Sequence, residues 1–265
     1  MRQFAFLFLL AFLVACDGYK YDNSDPDSGS DTELKFTAAE LEKKILFSEA
    51  IQESNIVDGY ILRFVNSAEL EQIKIKDTTS ALSGDYDWTI SNHKLQVTYP
   101  SAIVCTTTKD KDDNLKYETT GTCTAGTKNN ETIDDDLIRP LAFAASDLSN
   151  DEITIDLGNN QQEVLKFDSN GTNFSLTKKN NGQASNPENG TFKTSLFTNV
   201  IRLNIPNVST YRLLIIVKDS LTDGTLVELT YGSADEKLKG IRVYSSSNNE
   251  WKLEKHITTI EQEST

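Results

Sequence analysis

The side chains able to do covalent or acid–base chemistry are few in kind. Three cysteines (Cys16, Cys105, Cys123) and two histidines (His93, His256) stand against 40 aspartates and glutamates. Ser-His-Asp catalysis needs a base within reach of its nucleophile. His93 falls in a hairpin turn, "SNHK", and His256 lies near the C-terminus, so both read as solvated turn and tail residues. No Gly-x-Ser-x-Gly, His-Glu-x-x-His, P-loop or dinucleotide fingerprint occurs. A metal held by Cys105 and Cys123 would need a third and fourth ligand, and the neighbouring sequence supplies neither. Carboxylate pairs are plentiful, but runs such as residues 134–136 belong on hydrated faces where like charges repel. The sequence therefore names no catalytic residue, no metal ligand and no cofactor.

The residues before Cys16 have another character. "MRQFAFLFLLAFLVAC" opens with one basic side chain, Arg2, and continues with an apolar run over residues 4–14. That run is shorter than the roughly 20 residues a membrane-spanning helix needs, and it fits the apolar region of a secretory signal peptide. Leu13, Val14, Ala15 and Cys16 match the lipobox at all four positions, and the N-terminus resembles that of bacterial lipoproteins. The resemblance implies removal of residues 1–15, a thioether-linked diacylglycerol on Cys16, and a protein held at a bacterial envelope membrane by lipid. Several acyl chains at ~0.8 kcal/mol per buried methylene suffice for such an anchor. In the same family, Asp17 directly after the cysteine tilts sorting toward the inner membrane over the outer. With Cys16 assigned to lipid, Cys105 and Cys123 remain as an even pair in an oxidising compartment, which predicts one disulfide.

Residues 16–33, "CDGYKYDNSDPDSGSDTE", are too polar to form a core and read as a disordered acidic tether. They do not make an EF-hand loop, since the sixth and twelfth positions from Asn23 hold Ser28 and Leu34 in place of Gly and Glu. The net charge of −14 excludes a nucleic-acid partner, whose phosphates demand a basic surface. Lipid, not surface charge, must then hold the protein at a membrane.

The elements that position everything else come as a repeat. "GDYDWTISNHKLQVTYP" (84–100) and "GTFKTSLFTNVIRLNIP" (190–206) align without a gap at an offset of 106 residues. "ILRF" (61–64) pairs with "VLKF" (164–167), and "FTAAEL" (36–41) with "FAASDL" (143–148). Period-2 alternation predicts hairpins, with Tyr86, Trp88 and Ile90 on one face, then Leu95, Val97 and Tyr99. Asn170-Gly171 is a strong hairpin dipeptide, "TDG" marks another turn, and "GIRVYSS" with "EWKLEKH" reads as a final pair. One helical turn is expected, where Thr37 and Glu40 form a capping box stapled by Phe36 and Leu41.

The fold class is thus mainly β: two tandem antiparallel meander units, each a barrel or a β-sandwich. The boundaries are a β-unit at 34–127, a linker at 128–142, a second β-unit at 143–256 and a tail at 257–265. The second unit, with "FDSNGT" and then "GTF", is similar to small lipocalin-like domains of bacterial lipoproteins, while the first departs with "FVNSAE" and "GDY". Phe64, Tyr86 and Trp88 in the first unit, and Phe167, Phe174 and Phe192 in the second, would point inward and either line a pocket or fill a core. Three functions remain: a non-enzymatic lipoprotein binding a small apolar ligand or an envelope protein, a structural interaction module with packed cores, or a hydrolase of envelope polymers. An internal apolar cavity of ~300 Å³ or more marks the first, packed interiors with an exposed apolar patch the second, and clustered carboxylates in a cleft the third.

Overall fold

The computed structural model describes residues 34–48, 51, 59–112, 116–124, 131–140, 142, 144–194, 199–217, 224–247 and 250–263. Residues 1–33, with the expected signal peptide, Cys16, Asp17 and the expected tether, lie outside the described residues. The expected cap is present: Thr37 Oγ1 accepts from the Glu40 amide (3.3 Å) and the Thr37 amide donates to the Glu40 carboxylate (3.4 Å). It opens the single turn α1 (Ala38–Leu41), and the staple residues Phe36 and Leu41 are fully buried.

Eight strands follow: β1 (Ile45–Ser48), β2 (Tyr60–Phe64), β3 (Glu69–Ile75), β4 (Ser80–Ser91), β5 (Lys94–Tyr99), β6 (Ile103–Asp112), β7 (Lys116–Thr124) and β8 (Glu131–Ile138). Each pairs antiparallel with the next, and β8 returns to β1. An even number of up-and-down strands brings first and last together antiparallel, so the sheet closes as a barrel with no sandwich edge. The expected linker at 128–142 differs from this arrangement, because residues 131–138 supply the eighth strand. Without them β1 and β7 would both be open edges.

The second unit begins with a 3₁₀ turn, Ala145–Leu148, where the repeat has α1. Its strands are β9 (Glu152–Gly158), β10 (Gln161–Phe167), β11 (Asn173–Asn180), the two-residue β12 (Gln183–Ala184), β13 (Glu188–Lys193), β14 (Ile201–Asn204), β15 (Thr210–Ile216), β16 (Thr225–Gly232), β17 (Leu238–Ser247) and β18 (Glu250–Ile257). All but β12 close into a nine-stranded barrel. Nine alternating strands leave first and last pointing the same way, and the β9–β18 seam is accordingly parallel, with Trp251 opposite Ile155. The turn after β10 uses Gly171 at φ +70°. Gly190 faces inward beneath Phe174, where an added Cβ would stand 2.5 Å from the ring.

The expected tail also differs. Residues Thr259–Gln262 form β19, which leaves barrel 2 and adds in parallel to β4 of barrel 1. Lys76 Nζ donates to Glu261 (2.9 Å) and the Tyr86 hydroxyl to Glu263, so the C-terminal strand ties the second unit to the first.

Three cores result. Inside barrel 1 lie Phe64, Leu70, Trp88, Leu95 and Tyr117 among others, and inside barrel 2 Phe167, Phe174, Phe192, Leu214 and Trp251. The third core lies between the barrels, where outward residues of β1–β4, including Phe47, Ile61 and Ile73, meet Tyr211, Leu213, Ile215, Val227 and Leu229 of β15 and β16. Residues 34–265 form one compact unit on this account. A polar cluster is embedded in the third core: Glu71 accepts from Arg63 (2.9 Å), Ser83 Oγ (2.8 Å) and the Tyr231 hydroxyl (2.8 Å).

Candidate functional site

The six inward aromatic residues are where the alternation puts them, and they touch one another. Phe64 and Trp88 meet edge to face at 5.0 Å between ring centroids, and Tyr86 packs on Tyr99 at 4.6 Å. In barrel 2, Phe167 contacts Phe192 at 4.9 Å and Phe174 at 6.3 Å. All six are at most 8% exposed. They act as core filling in both barrels, with the Trp88 indole N–H satisfied by the Asn66 carbonyl at 2.9 Å. Burial, with Glu263 and Tyr99 beside it, drives the Tyr86 hydroxyl well above its usual range, and burial pushes Tyr99 up to about 12.

Cys105 and Cys123 are opposite each other on β6 and β7 and are joined as a disulfide, with Cα atoms 3.9 Å apart. Both are buried, and Cys105 pairs across β5–β6 with inward-facing Val97. Following the 106-residue offset, Val97 corresponds to Leu203, whose own cross-strand neighbours are Arg212 and then Thr230. The second barrel therefore carries a charged residue where the first carries half a disulfide.

Arg212 is the centre of a charge network inside barrel 2, toward the end away from the Ala145–Leu148 turn. Alternation along β15 sends Leu213 and Ile215 outward to the shared core and Arg212 and Leu214 inward. One guanidinium nitrogen, Nη2, donates to both Glu163 (2.7 Å) and Glu228 (2.6 Å), while Nε lacks a hydrogen-bond partner. Glu228 also accepts from the Tyr244 hydroxyl (2.9 Å) and Thr230 Oγ1 (3.4 Å), and Arg242 stands 3.6 Å away. Burial alone would raise the Glu228 pKa, but Arg212 reverses the effect and holds it below the usual carboxylate range. Burial likewise opposes the charge on Arg212, and Glu228 with Glu163 raises its pKa all the same. Tyr244 is raised mainly by burial and then by Glu228.

This arrangement limits what the network can do. A carboxylate whose lone pairs are taken by an arginine, a tyrosine and a threonine is a poor base and a poor nucleophile. His256, on β18 opposite Arg242, accepts from its Nε at 3.4 Å; burial and then the neighbouring guanidinium hold the imidazole pKa below its usual value. His93 sits exposed in the β4–β5 turn at φ +64°, and no described contact brings the two histidines together. Among the described residues no group of three His, Cys, Asp or Glu could hold a metal ion.

Among the described residues, barrel 2 carries depressions open to solvent, of which two are described. The larger, of about 740 Å³, runs along the outer face of β10, β11 and β13 and is lined by Lys166, Asp168, Asn173, Ser175, Asn189 and Thr191, with Phe167 and Phe174 beneath. The smaller, of about 380 Å³, lies at the β11–β12 turn beside Lys178. Polar side chains ring both, but apolar atoms make up slightly more than half of the lining surface in each. Large apolar side chains are exposed at Leu34 and Val208 among the described residues, too far from a contiguous patch to suggest an apolar docking face.

The charge network was missed in the sequence, because Arg212, Glu228 and Arg242 look like ordinary outward residues of alternating strands. The signal was nonetheless present: "LLIIV" at 213–217 has no polar face, as expected of a strand buried on both sides. Once 213 and 215 face another body, 212 must face inward. Comparison with known protein families, curated proteins and solved structures matches nothing to this chain.

Proposed function

We propose that this chain is a lipid-anchored protein of the bacterial cell envelope whose two fused barrels form a rigid module for interaction with another envelope protein. The anchor rests on Leu13, Val14, Ala15 and Cys16, and Asp17 tilts the placement toward the periplasmic face of the inner membrane. The observation that carries the module reading is the mutual contact of Phe64 with Trp88 and of Phe167 with Phe174 and Phe192, which occupies the space an internal apolar ligand would need. No contiguous apolar patch is exposed among the described residues, so half of the expected mark of such a module is missing and contact with a partner would be polar. With a net charge of −14, its partner would present a basic face.

A second reading, a small-molecule binder, is favoured by the open cleft beside Lys166 and Asn189. Its lining sets Lys166, Asp168, Asn173 and Asn189 beside apolar surface from Phe167, Phe174 and Pro206, which suits a ligand with both polar and apolar groups. Native mass spectrometry of the protein purified from its own membrane in mild detergent separates the two. Acyl mass on Cys16 together with a co-purifying polypeptide is expected. An unacylated N-terminus overturns the anchor, and a stoichiometric small ligand with no polypeptide overturns the module reading.

A further inference from the structure

Lys109 occupies a core position that the repeat fills with an aliphatic residue. Counting from the equivalent pair Cys105 and Arg212, Lys109 corresponds to Ile216, which is fully buried in barrel 2. The Lys109 side chain is only 3% exposed. Its ammonium lies between the faces of Phe36 (4.9 Å) and Tyr117 (4.8 Å). Nζ donates to Glu40 Oε1 at 2.7 Å and to Asp112 Oδ2 at 2.8 Å. The β6–β7 register shifts between Lys109 and Lys111, which sets Asp112 opposite Tyr117 at the partly exposed end of the pair. Arg139 pairs with the other oxygen of Asp112 and lies 3.6 Å over the Tyr117 ring, while the Tyr117 hydroxyl bonds Glu40.

A lysine nitrogen held between two aromatic rings, a carboxyl that it touches, a second carboxylate on the same nitrogen and a hydroxyl on the first carboxyl are thus brought together. These are the parts an acyl transfer needs. We propose that Lys109 and Glu40 condense spontaneously to an intramolecular amide, joining β6 to the turn by which the chain enters barrel 1. One proton passes along the existing hydrogen bond from the Lys109 ammonium to Glu40 Oε1, while Asp112 holds a second N–H of the same nitrogen. The free amine attacks Cδ, forming the C–N bond, while the Tyr117 hydroxyl donates to the oxygen on which charge develops. The nitrogen's second proton returns through Asp112 to the departing hydroxyl, the C–O bond breaks, and one water leaves. The ammonium and the carboxylate together become amide plus water, with no oxidant, reductant or co-reactant. Arg139 fixes the position of Asp112 beside the Lys109 nitrogen, and Glu40, bonded by the Tyr117 hydroxyl, is the acceptor.

The test is denaturing mass spectrometry of the full chain carrying Cys16→Ser, which removes acyl heterogeneity, after reduction of the disulfide. A mass lighter by one water is expected, with a branched tryptic peptide joining Glu40 to Lys109. Lys109→Arg keeps the charge and the ion pairs but forms no amide, so it should show the full mass, as should Asp112→Ala with donor and acceptor intact. Because the amide forms only in the folded chain, each variant is scored on soluble protein whose far-UV circular dichroism matches the parent, so that full mass in Asp112→Ala reports the lost relay and not a lost fold. Full mass in the chain with Lys109 and Glu40 intact, with unbranched peptides, overturns the proposal. A Lys109–Asp112 link overturns Glu40 as acceptor, and a light Asp112→Ala chain overturns the relay.

Discussion

Replacing Arg212 by alanine tests whether the charge network inside barrel 2 is held together as described. The substitution strips both Glu163 and Glu228 of their shared partner, and the side chains of the three residues are 12%, 10% and 1% exposed. Removing one member of a buried pair costs about 3–5 kcal/mol, because the remaining charge stays desolvated. Arg242, 3.6 Å from Glu228, and the Tyr244 hydroxyl still face that carboxylate, which places the expected loss near the lower bound, ~3 kcal/mol. Urea unfolding at neutral pH followed by tryptophan fluorescence reads it directly, since Trp251 lies in the same core. The loss should shrink on acidification, when Glu228, no longer held charged by Arg212, can neutralise itself by taking up a proton. Replacing Arg212 with methionine and both glutamates with glutamine should recover most of the stability, because it removes the charges together. A shift under ~1 kcal/mol for Arg212→Ala, within the range of exposed pairs, would refute the network as a buried one.

Removing the Cys105–Cys123 disulfide, which spans 18 residues, should lower stability by ~3 kcal/mol in the chain-entropy model. The readout is the urea midpoint of Cys105→Ala/Cys123→Ala against the oxidised parent, and equal midpoints would contradict it. The second concerns pH: Glu228, Asp112 and His256 are all held below their ordinary values of 4.5, 3.8 and 6.5, so folding releases protons and stability falls as pH falls. A shallow decline should begin below pH 6.5 and vanish in His256→Gln, with a steeper one below 4.5 as the carboxylates titrate; a curve flat from neutrality through both windows would count against these assignments.

The local rules that make strands were readable; the rules that close and join sheets were less so. Tyr86, Trp88, Leu95 and Val97 declare an inward face by alternation, and Asn170-Gly171 declares a turn. The even count of Cys105 and Cys123 declares a disulfide, and the β6–β7 register then sets the two opposite each other. Closure depends instead on pairing between residues far apart in sequence, such as Phe47 with Ile138, which no local pattern encodes. Residues 131–138 were mistaken for a linker because "ETIDDDLI" has three consecutive acids in place of clean alternation. The strand is specified by its position between β7 and β1 more than by its composition. Residues 259–262 carry one apolar side chain, Ile260, and its packing against the shared core is visible only once that core exists.

The union of the barrels explains features that neither barrel needs alone. A single closed barrel usually keeps polar residues outside, yet Leu213, Ile215, Val227 and Leu229 face outward here and find Ile61, Phe47 and Ile73 of the other unit. Apolar contact is not directional and would tolerate sliding of one curved sheet over another. The Glu71 cluster is directional: its carboxylate is oriented from within barrel 1 by Arg63 and Ser83 and reached from barrel 2 by the Tyr231 hydroxyl. Arg63 also lies over the Tyr231 ring at 4.6 Å, so any slide of the barrels leaves a buried carboxylate short of a donor. β19 adds a second constraint at a distance, fixing four residues of barrel 2's chain in register with Ser80, Ala81, Leu82 and Ser83. One apolar surface supplies adhesion, and a buried carboxylate and a borrowed strand fix the orientation in which it is used.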